Sequence, residues 1–578
     1  MDATLYIGDM RARLAEIPDE SIDAVVTDPP YHLTTGKKGG TGIASLNPNS
    51  PAGRSRIGTG FMGCGWDSPD SPPIDADFAH WLAGFVDGEG CFSVHKKTVN
   101  GCETYDCQFS LALRADDAPI VEEIQQRLGG IGTIARREPQ ASNPQVRYCI
   151  SSQSDCLFLR EIFTVFPLRA KKRRDFIAWS HALDCWLEHQ PREWADMAYY
   201  RDALMAVKCY GSTFSPELLW HYRWARLCLR VAKPGAHLIA FGGTRTVHRL
   251  MAAIEDAGWE LRDTLLWMFG SGFPKSSNQE GKWEGWGSAL KPAYEPIILA
   301  RKPLIGTIPE NLERYGVGAL NIDGCRIETT DDLNGGAYAE RGGREPMPGD
   351  PRDGAALGMF QAGKTADKGF VPPPGRWPAN VLHDGSDEVV AVFPDSDGQL
   401  VDASSSRKFQ NVYSPMARGN GRDGEPSAND NNDGAVGFKM KPGARRVDSG
   451  SAARFFWCPK ASRADRNEGL QGMPKRPVNW SSGDESPGTF QSEGTEREQQ
   501  NFHPTVKPTE LMQYLCRLVA PRGATILDPF MGSGSTGKAA VLEGMNFIGF
   551  ELDADYAKIA QRRIVSRDPL FTRVNVHG

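Results

Sequence analysis

The sequence predicts an α/β protein built on an open, mostly parallel sheet and interrupted by an inserted α+β domain. Three observations predict it. Near the amino terminus the apolar run Ala24-Val25-Val26 ends at Asp28-Pro29-Pro30-Tyr31. Near the carboxyl terminus Thr525 to Leu527 runs into Asp528-Pro529-Phe530-Met531-Gly532-Ser533-Gly534, and about twenty residues on a second apolar run, Phe547 to Phe550, ends in Glu551. Between these halves, residues 75–190 follow a different pattern of short helices and paired strands and read as an insertion.

In chain order, Leu5 to Ile7 form a strand leading to Gly8-Asp9, Met10 to Ile17 has helical spacing, and Asp23 to Thr27 is the strand that delivers the acidic loop. A Gly-, Pro- and Ser-rich stretch over 36–76 reads as loop. The insert reads as a helix at Phe78 to Phe85, strands at 91–97 and 107–113, a helix at 118–128, strands at 131–136 and 146–151, a helix at 155–165, a basic run, and a last helix at 175–189. Phe78, Trp81, Leu82 and Phe85 are expected to share one face of the first helix, with Ala83 and Gly84 small enough for a second helix to approach. Both ends of the insert lie in loop-like sequence, so it is expected to be separable.

The α/β pattern resumes with a helix at 218–231, a strand at 235–241, a helix carrying Val247, Leu250, Met251 and Ile254, and strands at 261–269 and 296–300. Residues 320–500 are poor in periodicity and rich in Gly, Asn, Asp and Ser, which suits a partly disordered or loop-rich region. Order returns with a helix at 511–519, a strand at 525–527, a helix at 536–542 and a strand at 547–550. The expected organisation is a core assembled from 1–70, 211–301 and 501–578, the insert at 75–190, and a loop-rich region at 302–500.

At 578 residues the chain exceeds what a single core organises. No apolar run is long enough to span a bilayer, and the start MDATLYIGDMRARL lacks the basic and apolar regions of a signal peptide, so a cytoplasmic protein without membrane contact is expected. The 12 cysteines include no CxxC pair, which argues against a zinc ribbon and a disulfide framework. A formal charge of -6 leaves nucleic-acid contact to local basic patches. The densest is Arg169, Lys171, Lys172, Arg173 and Arg174, which suits phosphate contacts better than base readout.

A strand that ends in an acid and a Gly-x-Gly turn presents a nucleoside-like ligand, because glycine lets backbone approach it; Glu551 ends the next strand, where a carboxylate meets both ribose hydroxyls. The exocyclic amine of a nucleobase is a poor nucleophile, its lone pair being delocalised into the ring. Asp28 and the Pro29 carbonyl can accept its two protons, Pro29 and Pro30 stiffen the turn, and Tyr31 offers an aromatic face to a base taken out of the stack.

With these loops the sequence resembles the S-adenosylmethionine-dependent DNA amino-methyltransferases, in the permuted class with the catalytic loop upstream of the cofactor loop. The carriers are Gly8-Asp9, Asp28 to Tyr31, His503-Pro504-Thr505-Val506-Lys507-Pro508, Asp528 to Gly534, and Glu551. The resemblance implies a Rossmann-like methyltransferase core with a target-recognition region within 302–500, and duplex DNA as partner. It implies S-adenosyl-L-methionine at Asp9, Thr505, Lys507, Asp528, Pro529, Phe530, Gly532, Gly534 and Glu551, and catalysis at Asp28, Pro29, Pro30 and Tyr31. Aspartate at the first catalytic position favours N6 of adenine, and N4 of cytosine stays open.

The insert carries Trp81-Leu82-Ala83-Gly84-Phe85-Val86-Asp87-Gly88-Glu89-Gly90 and resembles the LAGLIDADG homing-endonuclease family. That resemblance implies pairing of motif helices, here between two chains because one motif is present. It places magnesium at Glu89, with Asp87 beside it, if the insert is an active nuclease; glutamate stands where aspartate is more usual, which favours a DNA-binding module. A homing endonuclease hosted in a methylase gene is the alternative of another class. A phage or mobile element acting in a bacterial host is the expected source.

Overall fold

The computed structural model describes residues 1–30, 74–99, 102–137, 144–187, 194–208, 216–270, 272, 276, 279–329, 374–396, 400–401, 443–444, 450–458, 463–477, 498–566 and 572–577. Tyr31 and most of the 36–76 loop lie outside them, as does much of 330–500.

Among the described residues nine strands form one sheet, in the order Val381–His383, Glu260–Met268, Tyr294–Arg301, Ala232–Phe241, Ile22–Thr27, Thr525–Asp528, Asn546–Glu551, Asp2–Ile7 and Arg573–His577. All run parallel to their neighbours except Tyr294–Arg301, which is antiparallel to both of its own. The mixed, mostly parallel sheet is therefore present, and strands from the two ends of the chain interleave at its centre: Thr525–Asp528 lies between Ile22–Thr27 and Asn546–Glu551. Every residue of Ile22–Thr27 is buried, as expected of a central strand covered on both faces.

Successive residues of these strands point to opposite faces and enter two separate apolar cores. Val25, Leu238, Ala240, Ile298, Leu527 and Phe550 join one. Ala24, Val26, Ile239, Phe241, Ile297 and Phe547 join the other, where Leu511, Met512, Leu515, Ala539 and Ile564 cover the sheet from the helices Thr509–Val519, Ser535–Leu542 and Ala554–Val565.

The insert folds as a four-stranded antiparallel sheet, ordered Gly90–Val99, Cys102–Arg114, Gln145–Ile150 and Thr133–Arg137, with helices Ala76–Glu89, Ala118–Arg127, Gln153–Val165 and Lys172–Leu187. Its first hairpin is longer than its apolar pattern suggests, because the charged ends pair across the strands: Lys96 with Glu103 at 2.5 Å, and Lys97 with Asp106. The first helix corrects one expectation. Phe78, Ala79, Leu82, Ala83 and Val86 face the insert's own core, while Trp81 is exposed and stacks on Phe85 at 5.2 Å. Phe78 nonetheless stacks on Trp81 at 5.8 Å, so the rings of Phe78, Trp81 and Phe85 run along one side as expected; it is Ala83 that turns inward, and the small residues open to a partner are Gly84 and Gly88, where an added Cβ would meet nothing within 4 Å.

The insert packs directly on the core. Its core residues Phe92, Phe163 and Trp179 belong to the same apolar cluster as Val25 and Leu238 of the nine-stranded sheet and Met10 and Leu14 beside it. A helix that the sequence reading passed over, Trp194–Lys208, stitches the two together. Tyr199 stacks on Tyr222 of the helix Pro216–Val231 at 3.8 Å and 14°, Asp196 accepts from Tyr222 at 3.0 Å and from Arg226 at 3.0 Å, and Tyr199 donates to Asp256 at 3.1 Å. Asp184 of the insert forms ion pairs with Arg160 of the insert and with Arg223 of the core, and lies 3.7 Å from Arg11.

Candidate active site

The parallel strands bring their carboxyl ends to one edge, the edge at which open α/β sheets hold ligands. Asp28 follows Thr27 there, Asp528 ends the neighbouring strand, Glu551 the next, and Gly8-Asp9 follows the strand beyond. Because Tyr294–Arg301 runs antiparallel, its first residues reach the same edge and add Glu295, which the sequence reading did not single out.

Two buried interactions tie the catalytic loop to its neighbours at this edge, the first to the cofactor loop and the second to Glu295. Asp528 is 2% exposed and its carboxylate accepts from Thr27 Oγ1 at 2.7 Å, Thr536 Oγ1 at 2.6 Å and the Phe530 amide at 3.0 Å. Burial pushes this acid up to about 6, even though all three donors favour its ionised form. Asp528 thus supports the loop from beneath. The second link is Lys507, whose Nζ lies 3.3 Å from Asp28, donates to Glu295 at 2.6 Å, and sits 4.5 Å above the Phe241 ring. Burial works against the ammonium, yet the Asp28 and Glu295 carboxylates outweigh it and hold Lys507 above its ordinary value.

Glu551 is half-buried, with one oxygen accepting from the Gly532 amide at 3.0 Å and the other from Asp553 at 2.8 Å. Burial, the largest cause, pushes it up to about 7. Gly532 and Gly534 both have left-handed φ, +52° and +76°. A Cβ on Gly532 would lie 2.7 Å from His503 Nε2, and one on Gly534 would lie 2.8 Å from Ala560, so both turns admit only glycine. His503 donates from Nδ1 to the Thr505 carbonyl at 2.7 Å, and burial drops its imidazole to about 4, so it is neutral near pH 7. Thr505 is exposed, Pro529 is buried, and half-buried Phe530 packs against Trp220 and Trp224 at 5.2 and 5.6 Å.

Asp9 caps the short helix Met10–Arg13 and is occupied by Arg11, through its amide at 2.9 Å and its Nε at 3.0 Å. Burial raises this acid, but Arg11 outweighs it and holds Asp9 below the usual carboxylate range. Since Arg11 also faces Asp184, the insert lies one side chain from the site.

In the insert, Asp87 and the basic run come together. Asp87 accepts the amides of Arg169 and Ala170 at 2.7 and 3.0 Å, so it fixes the start of that run, while Glu89 is exposed at its helix end. Arg169 and Lys171 are exposed and Lys172, Arg173 and Arg174 half-buried, with Lys172 3.8 Å from Asp175. Among the described residues no cluster of three His, Cys, Asp or Glu side chains forms a metal centre. No described helix is long and apolar enough to cross a membrane.

The ordered islands within 302–500 support the core. The strand Val381–His383 runs parallel to Glu260–Met268, so the residues leading into it, including Arg376 and Trp377, approach from the edge opposite Asp28. Arg326 pairs with Asp323 and stacks on Trp377 there, and His383 is hydrogen-bonded to Ala453 at 3.2 Å. On the catalytic side, Asp465 accepts from Lys538 at 2.5 Å and Thr509 at 2.6 Å, binding the short helix Arg463–Asn467 to the cofactor-loop helices.

The chain matches the family model described as DNA methylase over residues 211–562, and that described as LAGLIDADG endonuclease over 82–183. The type II methyltransferase M.HindIII of Haemophilus influenzae is 31% identical over 117 residues, 18% of this chain and 38% of that protein. The DNA adenine methyltransferase YhdJ of Escherichia coli is 40% identical over 62 residues, 11% of this chain and 21% of that protein. The probable intron-encoded endonuclease Cox1-I1b of Schizosaccharomyces pombe is 32% identical over 113 residues, 19% of this chain and 28% of that protein. The matched stretches thus span well under half the length of each relative.

Proposed function

We propose that this chain, which belongs to the DNA methylase family and carries a LAGLIDADG domain within it, transfers a methyl group from S-adenosyl-L-methionine to N6 of adenine at specific sites in duplex DNA. The observation that carries the reading is the joining of Asp28 to the cofactor loop through Thr27–Asp528 and to Glu295 through Lys507. The edge fits the cofactor: two glycines leave no room for side chains, and Glu551, raised by burial, gains from hydroxyl donors that favour its ionised form. Glu551, the loop Asp528 to Gly534, Thr505, Lys507 and Asp9 would hold it. When bound it supplies an electrophilic methyl on a sulfonium.

The protein's own residues then position the nucleophile. Asp28, whose charge Lys507 balances, accepts one amine proton, the Pro29 carbonyl accepts the other, and the amine nitrogen is pyramidalised toward the methyl. Tyr31 gives the extruded base its stacking face. Adenine is favoured by aspartate at position 28 and by the adenine methyltransferase among the relatives. The insert serves as a DNA-binding module through its basic run, and its exposed Trp81, Gly84 and Gly88 form the face on which a second chain would pair. A magnesium-dependent nuclease at Glu89 is the competing role for it. The setting is the cytoplasm of a bacterial host, with a phage or mobile element as source. Single-base mapping of methylation in DNA from cells expressing the chain tests the reading, and methylated cytosine amines with unmodified adenines would overturn the choice of base.

A further inference from the structure

Residues 279–293, which lead into the strand Tyr294–Arg301 at the catalytic edge, form a turn with unusual surface chemistry. Every residue from Gln279 to Tyr294 is exposed. Trp283 is 50% exposed, Trp286 63% and Leu290 92%, where burial of such side chains is the rule in a soluble fold. The two indoles stand edge to face at 5.4 Å, and the Lys282 ammonium lies 5.4 Å over the Trp283 ring.

The turn is built rather than loose. Gln279 donates to the Trp286 carbonyl at 2.9 Å, Trp286 to Trp283 at 3.0 Å and Glu284 to Gly281 at 3.1 Å, while Ser276 Oγ accepts from Ser288 at 2.8 Å. Gly281 and Gly285 take the left-handed conformation at φ +64° and +86°. At the base, Phe269 donates to Ala293 at 3.0 Å, and a Cβ on Gly272 would overlap the Pro292 carbonyl. The segment re-enters the sheet at Tyr294 and Glu295, and Glu295 is bonded to the Lys507 that faces Asp28. A hydrogen-bonded turn therefore holds two indoles in solvent, and it returns to the sheet at Glu295, which Lys507 links to the acid assigned to the target amine.

Resting on the methyl-transfer reading above, we propose that the Trp283–Trp286 turn enters the DNA duplex beside the target and stacks on the bases exposed when that base leaves. Extrusion costs stacking and pairing energy, and an aromatic surface recovers stacking with any base, because every base has a π face. The occupant is duplex DNA; the far-edge aromatic Trp377 has no such access, since it lies opposite Asp28.

The test is the full-length Trp283→Ala/Trp286→Ala variant, compared with the parent and with Trp283→Phe/Trp286→Phe. Methyl incorporation from labelled S-adenosylmethionine is measured on native and on heat-denatured DNA lacking the modification, together with cofactor binding and the quenching of tryptophan emission by duplex DNA. The alanine pair is expected to lose about tenfold or more on native DNA while keeping denatured-DNA transfer and cofactor binding, and the phenylalanine pair to restore transfer. Quenching in the parent should fall in both variants. Equal loss on the two DNA forms, no loss on native DNA, or a change of oligomeric state in place of the DNA effect overturns the proposal. A parent that transfers no methyl to DNA sinks the methyl-transfer reading instead; quenching then decides for the turn, and unchanged quenching in the variants sinks it as well.

Discussion

Lys507 Nζ lies 3.3 Å from a carboxylate oxygen of Asp28 and 2.6 Å from one of Glu295, in a pocket that leaves the lysine almost wholly buried. The residue from the His503 to Pro508 segment thereby governs the charge of the catalytic loop. Glu295→Gln should leave S-adenosylmethionine binding near the parent level and lower methyl transfer, while Lys507→Met should lower both transfer and stability, by about 2 kcal/mol, as two acids lose their shared cation. Asp28→Ala should abolish transfer and spare cofactor binding. Near-parent transfer by Asp28→Ala would remove Asp28 from the mechanism.

Asp528 predicts a different pattern, since its bonds reach Thr27 and Thr536. Thr536→Val leaves a buried carboxylate oxygen without its hydroxyl donor and should cost about 1–3 kcal/mol in urea unfolding. Cofactor affinity should fall with it, because the loop from Phe530 to Gly534 rests on that acid. Full affinity in a destabilised Thr536→Val protein would show that support of the loop and binding are independent.

The pH dependence follows from two acids raised by burial, Glu551 to about 7 and Asp528 to about 6. A raised folded value means that the folded chain holds protons the unfolded chain has released, so this contribution to stability is complete below about 4 and is lost as pH rises through about 6 and 7. Ligand donors at Glu551 favour its ionised form. Cofactor affinity should therefore strengthen from about pH 6 toward 8, by at most about tenfold per unit, and then level. Titration calorimetry at several pH values checks this, and Glu551→Gln should flatten the profile; a flat profile in the parent would separate Glu551 from the ligand.

The insert has loop-like boundaries in sequence, yet it makes buried polar contacts with the core. Asp184→Ala removes the acid that Arg160 and Arg223 share, both largely buried, and should destabilise the protein by about 3 kcal/mol; it should also weaken cofactor binding, because Arg11 loses the partner opposite Asp9. Denaturant unfolding followed by cofactor titration of the variant tests both. Unchanged cofactor affinity would confine Asp184 to a packing role.

The two acids of the motif helix should part company. Glu89→Gln is expected to leave methylation and DNA affinity at parent levels, and the parent is expected to show no magnesium-dependent cleavage. Asp87→Ala should weaken DNA binding by about 1 kcal/mol, since the amides of Arg169 and Ala170 lose their acceptor and the basic run loosens. Magnesium-dependent breaks that vanish in Glu89→Gln would establish the nuclease role in its place.

Where apolar periodicity and punctuation coincide, the sequence disclosed the architecture: the strands ending at Asp28, Asp528 and Glu551 stand side by side, and the insert's helices and strands follow the expected order. What escaped was set by tertiary contact. Glu295 opens a strand beside Pro296 with no motif around it, and only the burial of Lys507 marks it. Val381–His383 is three residues long, too short to show alternation, yet it closes the edge of the sheet. The helix Trp194–Lys208 has weak segregation of its apolar residues because two of its sides are covered, one by the insert and one by the core. That Asp87 also accepts the amides of Arg169 and Ala170 is invisible to a motif, which records residue type and leaves out which backbone amides stand opposite.

The apolar cluster that spans insert and sheet has a consequence for inheritance. A chain that lost residues 75–208 would take Tyr199 off the Tyr222 ring and remove Asp184 and Asp196 from Arg223 and Arg226, and a newly wetted face of that kind invites aggregation and proteolysis. Retention of the insert then needs no benefit from cutting or recognising DNA. Deletions are removed by solvent before any selection on chemistry acts, and the guest is kept by the surface it covers.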